Sequence, residues 1–312
     1  MVTRCVDLFA GAGGFSEAAR LAGCRVVWAG NHNPIAVQVH AANHPTTVHA
    51  CQDLQQADWH TLPRHDLLLA SPSCQGHSRG ASRGGSGRRG SAPKHDMDRA
   101  TAWAVLSCLE VHRPALALVE NVPEFLSWTL YETWLHGMRA LGYSVSPHIS
   151  DAADFGVPQH RKRLFLVCTR SKAPLVLNLP RAEHVSFGSA LDLDAEGWEL
   201  VSTKPVGVQG RVAKGRARFG GEFLTQHVTT HTGRSLDRPI GTVTCASHHW
   251  HLVRRGSRGD EIRPLNSLEL RRAMGFADAY VLDGRLSIDT RLLGNAVSPP
   301  QGAAILTAMR AA

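Results

Sequence analysis

No run of about 18 apolar residues occurs anywhere in the 312-residue chain, which excludes a membrane-spanning helix. The N-terminus lacks the basic-then-apolar pattern of a secretory leader, so a cytoplasmic protein is expected. Seven cysteines stand at positions 5, 24, 51, 74, 108, 168 and 245, with no CxxC pair among them. An odd, dispersed set argues for reduced thiols and against a disulfide framework. No internal repeat is visible. Acid is short relative to base, 26 residues against 34, for a net charge of +8 and a pI near 9.5. That balance favours an anionic partner, most simply nucleic acid. With 43% hydrophobic and 19% charged residues, the chain has the composition of an ordinary globular protein and can bury the core of one large domain or two.

What is present alternates. Apolar strands are expected over 2–9, 25–29, 66–70, 115–120, 144–149 and 164–168. Helices are expected over 15–21, 34–42, 97–111 and from Trp128 to Gly142. Strands alternating with helices imply a doubly wound, mostly parallel α/β sheet. Near residue 170 the texture changes: 171–260 shows little helical periodicity, frequent Gly and Pro, and short β-like pieces such as 240–245. This stretch is expected to be a second, smaller, loop-rich domain, with 1–170 and 261–312 forming the first. Regular structure resumes at Ser267, where a helix starts with half a capping box (Ser267 with Leu270), and a last helix begins near Pro299.

The stretch from Asp66 to Ser78 is chemically the most pointed. A buried strand stops at Ser71-Pro72-Ser73-Cys74, and beyond a strand's carboxyl end is where an open α/β sheet places ligands. A thiol in such a turn is badly placed for core packing. The Gly/Ser-rich flap that follows carries Arg79, Arg83, Arg88 and Arg89, suited to ordering on a phosphate backbone. Glu120 ends another strand and faces the same crevice, giving a nucleophile and an acid together. Gln159, Arg161 and Arg163 follow a Gly/Pro turn, with the two arginines expected on one side of the next strand. The first strand runs into Asp7-Leu8-Phe9-Ala10-Gly11-Ala12-Gly13-Gly14. Read alone, that loop serves equally a nucleotide-like cofactor or a plain tight turn, because Ser16 replaces the third glycine of the dinucleotide fingerprint and Asn31 its acid. Lys204, Arg211, Lys214, Arg216 and Arg218 form a basic run with no acid among them. Cys245, His248, His249 and His251 cluster, but match no standard zinc spacing, and no metal is expected.

Taken in order, these stretches resemble the DNA (cytosine-5) methyltransferase family from Asp7 to Gln301. The cofactor loop resembles Asp7 to Gly14 and the catalytic loop Ser71 to Gln75. The Glu-Asn-Val block is Glu120 to Val122, and the Gln-x-Arg-x-Arg block is Gln159, Arg161 and Arg163. The late blocks resemble Arg263, Leu265, Glu269, Gly275 and Phe276, then Gly294, Asn295 and Val297. The resemblance implies a Rossmann-like methyltransferase domain, S-adenosylmethionine as cofactor, double-stranded DNA as substrate, and a target-recognition domain over 171–260. It implies catalytic roles for Cys74, Glu120, Arg161 and Arg163. Cofactor contacts are implied for Asp7, Phe9, Gly11, Gly13, Gly14, Asn31, His32, Asp53, Pro72 and Asn295, with Phe9 stacking on adenine and Asp53 binding its amino group. The flap arginines and the 204–218 cations are implied DNA contacts. A monomeric bacterial or phage modification methylase, with a cognate restriction endonuclease acting separately, fits this picture. The tRNA-modifying branch of the family and a non-catalytic DNA-binding regulator are the alternatives. Two departures stand out: Ser73 where the family has proline before the cysteine, and Asn31 where it has an acid for the cofactor ribose.

Overall fold

The computed structural model describes residues 2–73, 92–226, 233–246 and 248–312, with backbone alone for 92–99. They divide into two compact units. Met1–Asp151, Lys162–Pro180 and Ala296–Ala312 form the first, and Ala152–Arg161 with Arg181–Asn295 the second.

The first unit is built on seven strands: β1 (Arg4–Leu8), β2 (Arg25–Asn31), β3 (Val48–Cys51), β4 (Leu67–Ala70), β5 (Leu116–Asn121), β6 (Ser144–Asp151) and β7 (Lys162–Thr169). Their order is β3-β2-β1-β4-β5-β7-β6. Strands β1 to β5 pair in parallel, while β7 runs antiparallel to both β5 and β6. Leu67 to Ala70 is buried at every position, because a parallel strand covered on both faces needs a continuous apolar run and not an alternating one. Strand order reverses between β1 and β4, which opens a crevice beyond their carboxyl ends. The expected doubly wound sheet is therefore present. Strand β3 is not among the expected strands: its four residues lie at the sheet edge with exposed ends and form no apolar run.

Around this sheet lie α1 (Gly14–Leu21), α2 (Pro34–Asn43), α3 (Ala92–His112) and α4 (Tyr131–Ala140). One face of the sheet carries a core that includes Trp28, Trp59, Phe125 and Trp134. The other carries Phe15, Phe165, Val297 and Ile305, with Leu175, Leu177 and Leu179 packed against it. Those three leucines draw 171–180 into the first unit.

In the second unit a five-stranded antiparallel sheet has the order β10-β9-β11-β12-β8: β8 (Glu199–Leu200), β9 (Phe223–Gln226), β10 (Arg234–Ser235), β11 (Trp250–Gly256) and β12 (Gly259–Pro264). The β11–β12 hairpin straddles residue 260, so no unit boundary falls there. The stretch expected to be loop-rich contains an α-helix, α5 (Val206–Phe219). Val208, Val212, Gly215 and Phe219 face its small core at spacings of four, three and four, but a glycine at one of the four hides the stripe. Helix α6 (Ser267–Ala273) starts where expected, but its cap lies one residue before Ser267. Asn266 is the cap, and with Glu269 it makes a complete capping box. Helix α7 (Leu286–Asn295), also unread, follows it, and α8 (Pro299–Ala311) returns to the first unit.

Candidate active site

At the crevice of the first unit, the turn after β4 is tied down on three sides. The Ser71 hydroxyl donates to the carbonyl of Phe9 at 3.2 Å, Asn121 Nδ2 donates to the carbonyl of Pro72 at 3.1 Å, and the Ser73 N–H donates to Thr101 Oγ1 at 2.9 Å. Cys74 and the flap arginines 79, 83, 88 and 89 lie outside the described residues. The segment leading to Cys74 nonetheless leaves the sheet beside β5, where Glu120 is buried and pairs with Arg163 of β7, Nε to Oε1, at 3.0 Å. With little water around it, this ion pair places an acceptor and a planar cation side by side. Asn121 was read only as part of a block. Its bridge to Pro72 shows it to be the strut between the two strand ends, and no feature of sequence spacing announces that.

The loop after β1 turns sharply: Phe9, Gly11 and Gly13 all adopt left-handed backbone, with φ of 61°, 54° and 89°. For Phe9 this conformation is strained, while for the glycines it is ordinary. Gly13 begins α1 without a side-chain cap, so the first-turn N–H groups of that helix are not covered by a capping residue. Gly14 has a different reason to be glycine: a Cβ there would meet the Val297 carbonyl oxygen at 2.2 Å. Asn31 closes β2, its Oδ1 accepting from the Asn33 N–H at 2.9 Å, and His32 is exposed beside it. Asp53 follows β3, exposed, and accepts from the Gln55 N–H at 3.0 Å. Because β3, β2 and β1 are neighbours, the loops bearing Asp53, Asn31 and Phe9 stand in a row at one sheet edge. Asp7 lies beneath that row, wholly buried, and accepts from Ser16 Oγ at 2.7 Å. Burial pushes its carboxyl up to about 7, against the lowering effect of the Ser16 bond.

The Gln-x-Arg-x-Arg block does not act as one cluster. Arg161 precedes β7 and is buried in the second unit, where its guanidinium donates to the carbonyls of Val243 (3.1 Å) and Gly294 (2.8 Å). Gln159 binds the same loop, accepting from the Val243 N–H at 2.7 Å and donating to the Ala273 carbonyl at 2.9 Å. Gly294 sits against Thr244 and Cys245, where a Cβ would come within 2.5 Å of backbone. Asn295 Oδ1 accepts from Cys245 Sγ at 2.9 Å, and His249 contacts Gln226 at 3.0 Å.

The cations of 204–218 also separate. Lys204 pairs with Glu199 at 2.6 Å and Arg216 with Asp260 at 2.8 Å. Lys214 and Arg218 are exposed on α5, Arg218 over the Phe219 ring, and Arg211 is half-buried.

Comparison with known proteins adds the following. The family model described as C-5 cytosine-specific DNA methylase matches residues 3–206. The chain is 29% identical over 322 residues to the type II methyltransferase M.NlaX of Neisseria lactamica, covering 99% of this chain and 96% of that one. It is 25% identical over 320 residues to the type II methyltransferase M.HhaI of Haemophilus parahaemolyticus, covering 94% and 90%. Among solved structures, the Entamoeba histolytica methyltransferase EhMeth shares the fold with a TM-score of 0.73 at 16% identity, covering 99% and 98%.

Proposed function

The chain belongs to the C-5 cytosine-specific DNA methylase family, and from that premise we propose that it methylates C5 of a cytosine turned out of duplex DNA, through a covalent adduct on Cys74. Methyltransferases of this family use S-adenosylmethionine as donor. The strand-end row of Phe9, Asn31 and Asp53, with the uncapped start of α1 beside it, suits a nucleoside-like ligand with a charged tail. When bound, the donor supplies an electrophilic sulfonium methyl.

The residues of the chain supply the rest. Cytosine C5 is a poor nucleophile. The Cys74 thiolate adds to C6, and the electron pair of the C5–C6 double bond becomes available at C5. Glu120 binds or protonates N3 and Arg163 binds O2 as negative charge builds on the ring. C5 takes the methyl as the methyl's bond to the donor sulfur breaks, leaving a neutral thioether; a base then takes the C5 proton, which restores the double bond and expels the thiolate. Arg161 acts differently: held by two carbonyls, it is a positioning residue for the loop at Val243. Turning the base out of the stack costs roughly a few kcal/mol. The flap arginines, with Lys214 and Arg218, offset this through phosphate contacts. The second unit, with residues 181–260 at its centre, reads the target sequence. The relatives named type II methyltransferases support a role as a modification enzyme, which on this reading acts in the cytoplasm, as a monomer, alongside a separate endonuclease.

The observation that carries this reading is the buried Glu120–Arg163 pair at the strand ends beside which the Cys74 loop departs. Duplexes containing 5-fluorocytosine test it, because fluorine cannot leave C5 as a proton does. With the methyl donor present, a denaturation-resistant protein–DNA complex is expected, and Cys74→Ser should bind the same DNA without forming it. A target-containing duplex that never cross-links to the wild type would reject the mechanism.

A further inference from the structure

Behind the row of strand-end loops lies a line of polar side chains that the proposed chemistry does not use. Asp7 on β1 accepts from Ser16 Oγ in the first turn of α1 at 2.7 Å. Ser16 Oγ meets His40 Nε2 on α2 at 2.8 Å, and His40 Nδ1 meets His49 Nε2 on β3 at 2.8 Å. Asp7, Ser16 and His40 are 0%, 0% and 1% exposed. His44 lies tilted against His40 with ring centroids 4.7 Å apart.

The order of donors follows from counting hydrogens. A hydroxyl has one; with Asp7 ionised Ser16 gives it to the carboxylate, and His40 then donates through Nε2. His40 then accepts at Nδ1 and His49 donates through Nε2. Every donor points toward Asp7. This requires a neutral His40, and burial, with His44 and His49 beside it, holds its imidazole far down, at about 3. Asp7 Oδ1 has no hydrogen-bond partner among the described residues.

The line joins four elements, and each leads into or follows one of the loops in the row. Asp7 lies two residues before Phe9, and Ser16 three after Gly13. His40 is on the helix that Asn33 caps after Asn31. His49 is paired in register with Ala29 and lies four residues before Asp53. We propose that Ser16, His40 and His49 are positioning residues for the methyl donor: their hydrogen-bonded relay to Asp7 holds the loops bearing Phe9, Asn31 and Asp53 in mutual register. The inference rests on the reading that these loops bind S-adenosylmethionine.

Calorimetric titration of S-adenosylmethionine into the full chain tests it, with steady-state kinetics and thermal unfolding alongside. Ser16→Ala and His40→Leu should each weaken donor binding by about tenfold, the scale of one lost buried hydrogen bond with a stranded partner. KM for the donor should rise in parallel, while kcat at saturating donor and affinity for DNA stay within a factor of about two. The double variant should bind no worse than the weaker single one, since either change breaks the same line. His40→Gln, whose amide can still donate to Ser16, should restore most of the affinity. Ser16→Ala removes one oxygen and keeps the test decisive if His40→Leu fails to fold. A saturable wild type with equally saturable Ser16→Ala and His40→Leu overturns the relay alone. A wild type that binds no donor overturns the functional reading and the relay together.

Discussion

Ser73 stands where the resemblance places proline, and the difference has a physical content at the scale of one residue. Proline would fix φ but carries no N–H. Ser73 keeps its N–H and gives it to Thr101 Oγ1 at 2.9 Å, so a hydrogen bond from α3 replaces a ring as the restraint on the Cys74 loop. Such a bond is worth about 0.5–1.5 kcal/mol. Thr101→Val keeps the shape and removes the acceptor, and the single-turnover methylation rate should fall roughly two- to twelvefold. In a Ser73→Pro background the same change should cost almost nothing, because no N–H is left to satisfy. Quench-flow rates for the four proteins check this; a Thr101→Val enzyme as fast as wild type would sink it. Glu120 and Arg163 stand out in the sequence because they sit at strand ends, where a pattern of apolar runs and turns is easy to read, and Ser73 because it departs from the proline of the family pattern. Thr101 was not, since a contact across 28 positions leaves no local trace. The Ser16–His40 pair, 24 positions apart, was equally hidden.

At the scale of the element, α5 shows how composition misleads. Three of its fourteen residues are glycine, and they do different things. Gly215 lies against Phe223, where a Cβ would come within 2.2 Å of the ring, whereas Gly207 and Gly210 would meet nothing within 4 Å. The first is therefore required by packing, and the other two only lower helix propensity. Gly210→Ala should stabilise the protein by about 0.5–1 kcal/mol. Gly215→Ala should destabilise it by about 1–3 kcal/mol through overpacking. Thermal unfolding of the two variants should show shifts of opposite sign, and shifts of the same sign would refute the distinction. The same glycines made the stretch look loop-like, because propensity is a local property while the buried stripe of Val208, Val212 and Phe219 exists only against β9, β11 and β12. Continuously apolar strands such as β4 carried no such ambiguity. For α6 the error was one residue of register: Asn266 caps as well as serine does, and its partner is Glu269.

At the scale of the whole molecule, the net charge of +8 pointed to nucleic acid, but charge counting says nothing about which cations are available. The structure sorts them. Arg216 pairs with Asp260 in the second unit, both largely covered, and Lys204 pairs there with the exposed Glu199, so both cations already have carboxylate partners. Lys214 and Arg218 are exposed. The composition change near residue 170 likewise signalled a second body without giving its limits, because 152–161 joins that body through a bridge from Gln159 to Ile240, far away in sequence, and the β11–β12 hairpin carries the body past residue 260. The proposed division of cations has a measurable consequence in salt dependence. Each phosphate neutralised on B-DNA contributes about −0.9 to the slope of log K against log salt. Replacing Arg79, Arg83, Arg88 and Arg89 with glutamine should therefore flatten the slope by about 3 to 4 if all four reach phosphates. Lys204→Gln with Arg216→Gln should change it by less than about 1, and should lower the melting temperature instead. Fluorescence anisotropy from 50 to 300 mM salt, roughly the range over which such slopes are read, separates the two sets. The slopes should match on duplexes with and without a target, because backbone contacts carry no sequence information. A quadruple flap variant with the wild-type slope would remove the flap from the DNA interface, and a flattened slope in the Lys204/Arg216 variant would move those two residues into it.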